Sequence, residues 1–469
     1  MLIFLLFALI SAPLPGRAAE HRIIDRVVPH GGPAVELEPG FAYYHDRSPG
    51  NVAAELLTHG YRIVDYILTA DSSVSTAYID AFHTAGIAMW YTTFVNGTYS
   101  VEDLPADWKS WRMVTRSDLS GTPLNDGYER LCLNNPGYRT WKKRAIVGMM
   151  RNFAFDGINL VEPHWPEYPG KECPAYACFC PHCLAALKGM FPGVMKFPDI
   201  LDDRSPDSPG RNPALWSQWI RFRTDTLTAF LDDLVNGPDG LRTLSRRPMI
   251  CIWTLALAEA GGYRRVMEDS GEDPAAIAKV VHPDVFCFQT HWPDWTRPEL
   301  KPDYVRGYRP FLDAVRAVDP AMPLIIQADT GSNRDTRRSW RWIRGFEKAC
   351  HDLGVDGTTY YEYAIGKYMD TDPPAIVEAR WAGSAVRLQF SKRVDAGTAG
   401  DPRAYTLTPG RVSGASVDGS SVTLAILGVA PGSRVSLTAR GIADDPARRL
   451  FHDHPQNILG RQVIAISVP

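Results

Sequence analysis

The chain contains two copies of one acidic pattern, an Asp-Gly pair followed after four residues by a glutamate. The copies occupy residues 156–162 and 356–362, and each ends an apolar run. A carboxyl group at the end of a buried strand can transfer protons or attack an electron-poor carbon, which is acid–base and nucleophilic catalysis. A further acid ends the apolar run at 323–329. The catalytic candidates are Glu162, Asp329 and Glu362.

Each of these acids also has a structural explanation, since a strand-end carboxylate can cap the next helix or pair with a loop lysine. Three acids that converge on one end of the fold are harder to explain in this way, because like charges held close together reduce stability. A metal-dependent hydrolase that uses His45, Asp46 and His291 is another alternative. These residues are too few and too scattered to support a metal site.

Aromatic and polar residues lie close to the same strand ends in the sequence. Flat rings stack on the apolar faces of sugars and polar groups bind hydroxyls, so the mixture favours a carbohydrate cleft. Trp90 and Trp253 lie inside apolar runs and are expected in the core instead. The substrate-binding candidates are His45, Asp46, Trp165, Gln289, His291, Trp292, Trp295 and Gln327.

A cluster of four cysteines at 173–183 includes the tight spacing C-x-C-x2-C, which is typical of a metal clip. Zinc is held tetrahedrally by four such thiolates, and a closed set of four predicts a structural site. The fourth ligand is either Cys173 or Cys132. Two disulfides, such as Cys132 with Cys173 plus one more pair, are the alternative in an exported protein. The candidate ligands are Cys132, Cys173, Cys178, Cys180 and Cys183.

Eight apolar runs separated by amphipathic stretches must position these residues. Near-continuous hydrophobic runs are typical of parallel strands buried on both faces. Eight strand–helix repeats predict a (β/α)8 barrel, the TIM-barrel fold, with chemistry at the C-terminal strand ends. A doubly wound open sheet is the alternative, but no glycine-rich nucleotide motif follows the first strand. The predicted strands are 40–46, 61–69, 87–94, 155–162, 248–254, 285–291, 323–329 and 355–363.

Two Asn-Pro pairs predict helix starts, because asparagine is a good N-cap and proline suits the first helical position. They are Asn135-Pro136 and Asn212-Pro213, and the second helix is expected to stop at Asn236-Gly237. After the eighth strand the sequence contains no convincing eighth helix. Either the closing helix is absent or the following domain covers that wall.

The C-terminal residues 374–469 alternate apolar and polar positions between Gly, Pro and Asp, which predicts a small all-β sandwich. They resemble the immunoglobulin-like repeats of secreted bacterial proteins, so a spacer or packing role is expected. The N-terminal run at 1–10, followed by small residues, predicts a secretory signal cleaved near Ala18 or Ala19. The predicted organisation is signal peptide 1–19, barrel 20–373 and immunoglobulin-like sandwich 374–469.

The predicted signal implies an exported, periplasmic or extracellular protein without a stable membrane span, because the apolar run is short. A retained membrane anchor is the alternative. The chain has 469 residues, a net charge of -3 and no basic block, so nucleic acid is not an expected partner.

The segment around the first acidic pattern resembles the barrel glycoside hydrolases related to clan A. These include zinc-carrying beta-galactosidases and uncharacterised glycosyl-hydrolase-like families. The resemblance is carried by D-G-x4-E at 156–162, by Cys-Phe-Cys-Pro-His-Cys at 178–183, and by Cys132-Leu-Asn-Asn-Pro-Gly-Tyr-Arg before a helix. It implies a carbohydrate substrate, with Glu162 as general acid/base. The chain departs from the family pattern at Val161, where Asn is usual.

A second departure lies on strand seven, which offers Asp329 where the family has a glutamate nucleophile. Glu162 with Asp329, three strands apart, would suit retention, whereas Glu162 with Glu362 would more easily leave room for an attacking water and inversion. The first pair is favoured, with Glu362 binding substrate or acting as reserve nucleophile. The departures also allow a non-catalytic carbohydrate-binding protein on a barrel scaffold.

Overall fold

The computed structural model describes residues 33–166 and 169–469, so the predicted signal peptide lies outside the described residues. Eight parallel strands form one sheet in sequence order, and the first packs beside the eighth, which gives a nearly closed barrel. The predicted TIM-barrel class is confirmed. The strands are β1 (Ala34–Leu37), β2 (Ile63–Ile67), β3 (Ala88–Phe94), β4 (Gly157–Val161), β5 (Met249–Ala256), β6 (Val285–Thr290), β7 (Leu324–Asp329) and β8 (Gly357–Tyr361).

Helices connect the strands around the outside of the barrel. Both predicted Asn-Pro starts are confirmed. The Asn135 side chain accepts N–H groups in the first turn of α3 (Pro136–Asn152), and the Asn212 side chain accepts one in the first turn of α5 (Pro213–Val235). Helix α5 ends at Val235 with Asn236 as its C-cap, which confirms the predicted stop at Asn236-Gly237. The helices are α1 (Pro49–Thr58), α2 (Thr76–Thr84), α3 (Pro136–Asn152), α4 (Pro181–Met190), α5 (Pro213–Val235), α6 (Gly262–Ser270), α7 (Pro274–Val281), α8 (Arg309–Val318) and α9 (Trp340–Asp352).

The prediction for the first strand was wrong. Residues 40–46 contain a short 3-10 turn, Ala42–Tyr44, and β1 lies upstream at Ala34–Leu37. This strand has only four residues, and Glu36 interrupts its apolar character. A search for apolar runs therefore selects the aromatic segment 40–46 in place of this strand. Pairing with β2 nevertheless makes Ala34–Leu37 part of the barrel.

Apolar side chains fill one level of the barrel interior, and Trp90 and Trp253 are among them. The prediction that these two tryptophans lie in the core is thereby confirmed. Buried polar groups also face this interior and satisfy one another. Asp65 accepts hydrogen bonds from Asn159 Nδ2 at 2.7 Å and from Thr359 Oγ1 at 2.6 Å. The barrel interior therefore buries this carboxyl group without leaving it unpaired.

Only a 3-10 turn and a four-residue helix, Tyr368–Thr371, separate β8 from the C-terminal domain. That domain has a four-stranded sheet in the order β9-β10-β13-β12 and a three-stranded sheet in the order β11-β14-β15, both antiparallel and sharing one apolar core. A β-sandwich is thereby confirmed. Its strands are β9 (Ile376–Ala382), β10 (Ala385–Phe390), β11 (Tyr405–Thr408), β12 (Arg411–Asp418), β13 (Ser421–Leu427), β14 (Arg434–Arg440) and β15 (Arg461–Ser467).

The sandwich packs against the side of the barrel where β8 and β1 meet. Asn51 of α1 donates to the Ser421 hydroxyl at 2.6 Å. The Arg393 guanidinium donates to the carbonyl oxygens of Tyr43 and His45 at 2.8 and 2.6 Å. The second domain thus contacts the wall that lacks a full eighth helix. None of the helices in the described part of the chain has the length and apolar character that a membrane crossing requires.

The domain interface contains a buried charge network whose loss should destabilise the protein strongly. Asp444 accepts from Lys392 Nζ at 2.7 Å and from the Arg449 guanidinium, and all three side chains are buried. The substitution Asp444→Ala would leave two cations without this carboxylate, so we expect a loss of about 3–5 kcal/mol in the free energy of unfolding. Urea denaturation measures the loss. The exposed, loosely paired Glu378 provides the control Glu378→Ala, and equal midpoints for the two variants would contradict the prediction.

Candidate active site

A cleft with two lobes opens at the C-terminal ends of the barrel strands. The larger lobe, called the acidic lobe here, has a volume of about 520 Å³, and the smaller aromatic lobe has about 280 Å³. Glu162, Gln289 and Trp295 line both lobes. The acidic lobe is lined by Glu36, Glu38, Ile67, Thr69, Phe94, Tyr99, Val161, Glu162, Trp253, Gln289, Thr290, Trp295, Gln327, Asp329, Ser332 and Tyr361. The aromatic lobe is lined by Asn96, Tyr99, Met113, Asp126, Tyr128, Arg130, Glu162, His164, Pro166, Leu255, Gln289, Thr290, His291, Trp292 and Trp295.

Glu162 follows β4 and stands where the two lobes meet. Its backbone has φ +48°, a left-handed conformation that is uncommon for a residue with a side chain and that occurs often at functional sites. The Asn96 amide donates to the Pro163 carbonyl at 3.1 Å, and Gln289 Nε2 lies 3.4 Å from Glu162 Oε1. Neighbouring elements therefore hold both the Glu162 side chain and the backbone that directly follows it.

Asp329 ends β7 and lines the acidic lobe, as the sequence predicted for the seventh strand. Its Oδ1 accepts the N–H groups of Gly331 and Ser332 at 2.8 and 2.9 Å, and its Oδ2 accepts the Ser332 hydroxyl. Burial raises the pKa of Asp329, while these hydrogen bonds oppose the rise. The turn after β7 therefore fixes the carboxylate at the cleft wall.

Two further acids in the acidic lobe, Glu36 and Glu38, were missed by the sequence analysis because β1 was misplaced. Gln327 Nε2 donates to Glu36 Oε1 at 3.2 Å, and the Tyr361 hydroxyl donates to Glu38 Oε2 at 3.0 Å. Burial raises the pKa of Glu36 well above its ordinary value, and the nearby Asp65 raises it further. Burial also raises the pKa of Glu38. The alternation of Val, Glu, Leu and Glu at 35–38 before Pro-Gly was the available signal.

Glu362 does not line either lobe, so the structure does not bring it to the cleft with Glu162. Its side chain is 0% exposed and caps the turn that follows β8, accepting the Ala364 N–H at 2.6 Å. The Tyr44 hydroxyl donates to its other oxygen at 2.8 Å. Burial raises its pKa to about 8. Despite the repeated motif, this glutamate has the structural role of a buried cap.

Replacing Glu362 by glutamine should flatten the dependence of stability on pH. Glu362 has a folded pKa of about 8 against an ordinary value of 4.5, so between these values the folded protein keeps a proton that the unfolded chain has lost. Wild-type stability therefore falls as pH rises through this window. The glutamine amide cannot ionise. Across this window the free energy of unfolding of Glu362→Gln should therefore fall by a few kcal/mol less than that of the wild type. Urea denaturation of both proteins at about pH 5 and about pH 8 measures the difference, and parallel profiles would contradict it.

The aromatic lobe contains several of the predicted substrate-binding residues. Trp292 is 37% exposed and Trp295 reaches both lobes, so their rings are available as platforms. His291 is buried, and burial lowers its pKa to about 3. Burial also lowers the pKa of His164, which the sequence analysis missed. These imidazoles are therefore neutral at physiological pH. Gln327 contributes to the acidic lobe.

Three other predicted substrate-binding residues lie elsewhere. Trp165 is 0% exposed and donates its indole N–H to the Arg223 carbonyl at 3.0 Å, so it is a core residue and not a platform. His45 and Asp46 lie on the surface outside both lobes, and Asp46 pairs with Arg448 of the sandwich. Their assignment followed from the misplaced first strand. His45 and Asp46 therefore do not join His291 in a metal site.

Four cysteines form a compact buried group beside the cleft. The sulfur atoms of Cys132, Cys178, Cys180 and Cys183 lie within 4.8 Å of one another, and Cys132 Sγ is 3.4 and 3.5 Å from Cys180 Sγ and Cys183 Sγ. A tetrahedron with zinc–sulfur bonds of about 2.3 Å has edges of about 3.8 Å, whereas a disulfide needs about 2.05 Å. The disulfide alternative is therefore wrong, and the group fits a metal ion.

Cys132 supplies the fourth sulfur, and Cys173 lies outside the group. Asn134 Nδ2 donates to Cys183 Sγ at 3.3 Å, and the Val114 N–H lies 3.4 Å from Cys178 Sγ, as expected around thiolate ligands. A metal here would join the chain before α3 to the turn entering α4. It would thereby secure the neighbouring loop whose Tyr128 and Arg130 line the aromatic lobe.

No protein-family model matches the chain, and no curated protein matches it either. Solved structures similar to it include glycoside hydrolases. The PgaB glycoside hydrolase domain of Bordetella bronchiseptica has a TM-score of 0.50 and 13% identity, covering 70% of this chain and 93% of that domain. At this identity the likeness concerns the barrel fold.

Two further neighbours are more distant. A beta-galactosidase from a Rahnella species has a TM-score of 0.48 and 15% identity. The match covers 70% of this chain and 50% of that enzyme. The endo-beta-1,4-mannanase of Thermotoga petrophila has a TM-score of 0.38 and 9% identity, covering 93% of this chain and 98% of that one.

Proposed function

We propose that this protein is a glycoside hydrolase in which Glu162 is the general acid/base and Asp329 the nucleophile. One observation carries the proposal: Glu162 and Asp329 line the same cleft at the C-terminal mouth of a barrel, among aromatic platforms. Catalytic residues of this fold occupy that position. Its fold neighbours are glycoside hydrolases, which supports the same reaction class.

In this proposal Glu162 protonates the glycosidic oxygen while Asp329 attacks the anomeric carbon, and a glycosyl ester forms as the leaving alcohol departs. Glu162 then removes a proton from water, which attacks the same carbon and releases Asp329. Two inversions at one carbon retain the configuration of the sugar. Gln289 positions Glu162, and the turn at Gly331 and Ser332 orients Asp329.

The proposal extends to the rest of the chain. We propose that zinc occupies the four-cysteine group, that residues 1–19 direct export to the periplasm or beyond, and that the sandwich is immunoglobulin-like. The division into barrel 20–373 and sandwich 374–469 remains a prediction. Amino-terminal sequencing of protein recovered from the producing cells tests the proposed cleavage near Ala18 or Ala19.

The pairing of acids is tested with two substitutions in the same assay. A panel of oligosaccharides of differing sugar and linkage first identifies a substrate by chromatography of the products. Asp329→Asn should then lower kcat by at least about 10²-fold, because the amide cannot form the ester. Glu362→Gln, whose side chain is a buried cap, should keep kcat within a few-fold of wild type. Wild-type turnover by Asp329→Asn, with an inactive Glu362→Gln, would overturn the assignment.

The second candidate function is carbohydrate binding without hydrolysis. It is favoured by the three donors that already engage Asp329, since a carboxylate held in this way is a weaker nucleophile. Calorimetry with the same oligosaccharides separates the two candidates. Sugar binding by the wild type, with no product from any panel member after prolonged incubation, would establish the binding role.

A further inference from the structure

The loop that follows β7, residues 330–338, holds Asp329 and is called the nucleophile loop here. Near its start, Gly331 and Ser332 donate their N–H groups to the Asp329 carboxylate. The loop closes on itself, because its last residue, Arg338, donates its N–H to the carbonyl of the first residue at 2.7 Å. The position of the carboxylate therefore depends on the conformation of this short closed loop.

The barrel itself holds one end of the nucleophile loop. The Arg338 guanidinium is buried and donates to three carbonyl oxygens of the segment 295–298 at 2.9 to 3.1 Å. This segment follows β6 and includes the aromatic platform Trp295. The end of the loop and the platform are therefore fixed to each other within one domain.

Arg337 lies directly against the glycine that binds Asp329. A Cβ atom at Gly331 would lie only 2.7 Å from Arg337 Cγ, so the two residues are packed without space between them. The Arg337 side chain is 9% exposed and pairs with the buried Asp370. Because close-packed groups transmit displacements, a shift of this arginine would move Gly331 and one of the N–H groups that bind Asp329.

The C-terminal sandwich supplies further contacts to Arg337. Its segment 451–454, called the clasp here, lies against the nucleophile loop. The Arg337 guanidinium donates to His454 Nε2 at 2.9 Å, so this nitrogen is the unprotonated one of the imidazole. The guanidinium carbon also lies 5.1 Å from the centre of the Phe451 ring, within the range of a cation–π contact. The second domain therefore holds the arginine that packs on Gly331.

A second arginine of the nucleophile loop contacts the same clasp. Arg334 Nη1 lies 2.7 Å from Asp453 Oδ2, and the Arg334 guanidinium carbon lies 5.6 Å from the centre of the Phe451 ring. The segment after the clasp is fixed in turn, because Asn457 Nδ2 donates to the Asp370 carbonyl at 2.7 Å. The clasp thus contacts two cations of the loop and is itself attached at the end of the barrel.

We infer that the sandwich positions the nucleophile: the clasp holds Arg337 against Gly331 and thereby keeps the Asp329 carboxylate in the geometry for attack. The inference rests on the proposed function, in which Asp329 is the nucleophile. A displacement of about 1 Å at a reacting group can lower a rate by about 10²-fold. Arg337 and His454 are therefore positioning residues, which act through Gly331. The sandwich is thus more than a spacer, since it takes part in the structure of the active site.

Hydrogen exchange tests the hold of the clasp without any substrate. The full-length double variant Asp453→Asn with His454→Ala replaces side chains that are 28% and 31% exposed, so it should fold and melt near the wild-type temperature. Amide exchange in peptides covering 330–338 should become at least about 10-fold faster, because the loop opens more often. Exchange around Glu162 should not change. The single variant His454→Gln, which keeps an acceptor for Arg337, should retain the wild-type protection.

The kinetics of the same double variant on an active oligosaccharide test the positioning of the nucleophile. Its kcat should fall by about 10-fold or more while KM stays within about two-fold of wild type, because the barrel itself holds Glu162 and Trp295. In the Asp329→Asn background the double variant should leave the residual rate unchanged, since no nucleophile remains to be positioned. A general loss of structure would lower both rates.

Asp46→Asn provides the matched control. Asp46 pairs with Arg448 of the sandwich, so this variant also removes a charged contact between the two domains. That contact lies outside the cleft and the nucleophile loop. Asparagine tolerates the positive φ of +54° at this position. Exchange in the loop and kcat should therefore both stay at their wild-type values.

The inference is overturned if exchange in 330–338 is the same in the double variant and the wild type, or if kcat is unchanged despite faster exchange. An equal loss of kcat in Asp46→Asn would also overturn it. Its failure is distinct from failure of the proposed function. A wild-type kcat in the double variant keeps the glycosidase and removes the positioning role. If the wild type hydrolyses no oligosaccharide, the proposed function fails, and faster exchange still supports the hold of the clasp on the Asp329 loop.

Discussion

Glu162→Gln should abolish most of the hydrolytic activity, lowering kcat/KM on an active oligosaccharide by about 10²–10⁴-fold. The amide has the shape of the glutamate but cannot donate or remove a proton, so both steps of the proposed reaction lose their acid/base. Calorimetry on the same variant should show that affinity for the substrate is nearly unchanged. The loss then belongs to the chemical step and not to binding.

The leaving group and an added nucleophile distinguish this role from a general loss of structure. An aryl glycoside with a very acidic phenol needs little protonation, so Glu162→Gln should lose much less activity on it. In Glu162→Ala, azide should restore turnover and give a glycosyl azide that retains the original configuration, because it replaces the water that Glu162 activates. Equal losses on both leaving groups, with no azide product, would remove Glu162 from the mechanism.

Loss of the four-cysteine metal site should unfold or strongly destabilise the protein. We expect one zinc per chain by mass spectrometry of metals, and none in Cys180→Ser. Structural zinc sites in small domains contribute binding free energies of order 10 kcal/mol, so the variant should melt at least about 10 °C lower or fail to fold. Chelation during gentle heating should reproduce the change in the wild type.

Cys173 provides a matched control for this experiment. It lies in the same cysteine-rich segment, but its sulfur is outside the group of four. Cys173→Ser should therefore keep one zinc and the wild-type melting temperature. Loss of metal in Cys173→Ser, or a full complement in Cys180→Ser, would contradict the ligand assignment.

The metal site shows how far local spacing can define a ligand set. Three thiols within six residues must lie close together, so the clip was predictable from its spacing alone. The fourth ligand comes from a distant segment, and two cysteines were equally reasonable by sequence. Backbone hydrogen bonds from Leu131 to Asn96 and from Cys132 to Trp111 hold this segment beside the clip, and sequence spacing does not encode these contacts.

The repeated acidic motif shows the same distinction for the catalytic candidates. Glu162 and Glu362 follow their strands in equivalent sequence, yet one lines the cleft and the other is buried. The hydroxyl of Tyr44 and the N–H of Ala364 hold Glu362 inside, and Tyr44 comes from the loop after β1. A motif predicts the position of a residue along a strand. The residues that surround its side chain in the fold decide where that side chain points.

The sequence by itself determined the long strands, the capped helices and the β-sandwich. Burial on two faces and helix capping depend on residues that are close together in the sequence, so their patterns can be read locally. The tertiary structure decided the place of β1, the acids at 36 and 38, and the burial of Trp165. A four-residue strand that contains Glu36 and is followed directly by Glu38 has too little apolar character to be recognised alone. It becomes a strand because β2 supplies its hydrogen-bonding partner, and this pairing brings Glu36 and Glu38 to the wall of the cleft.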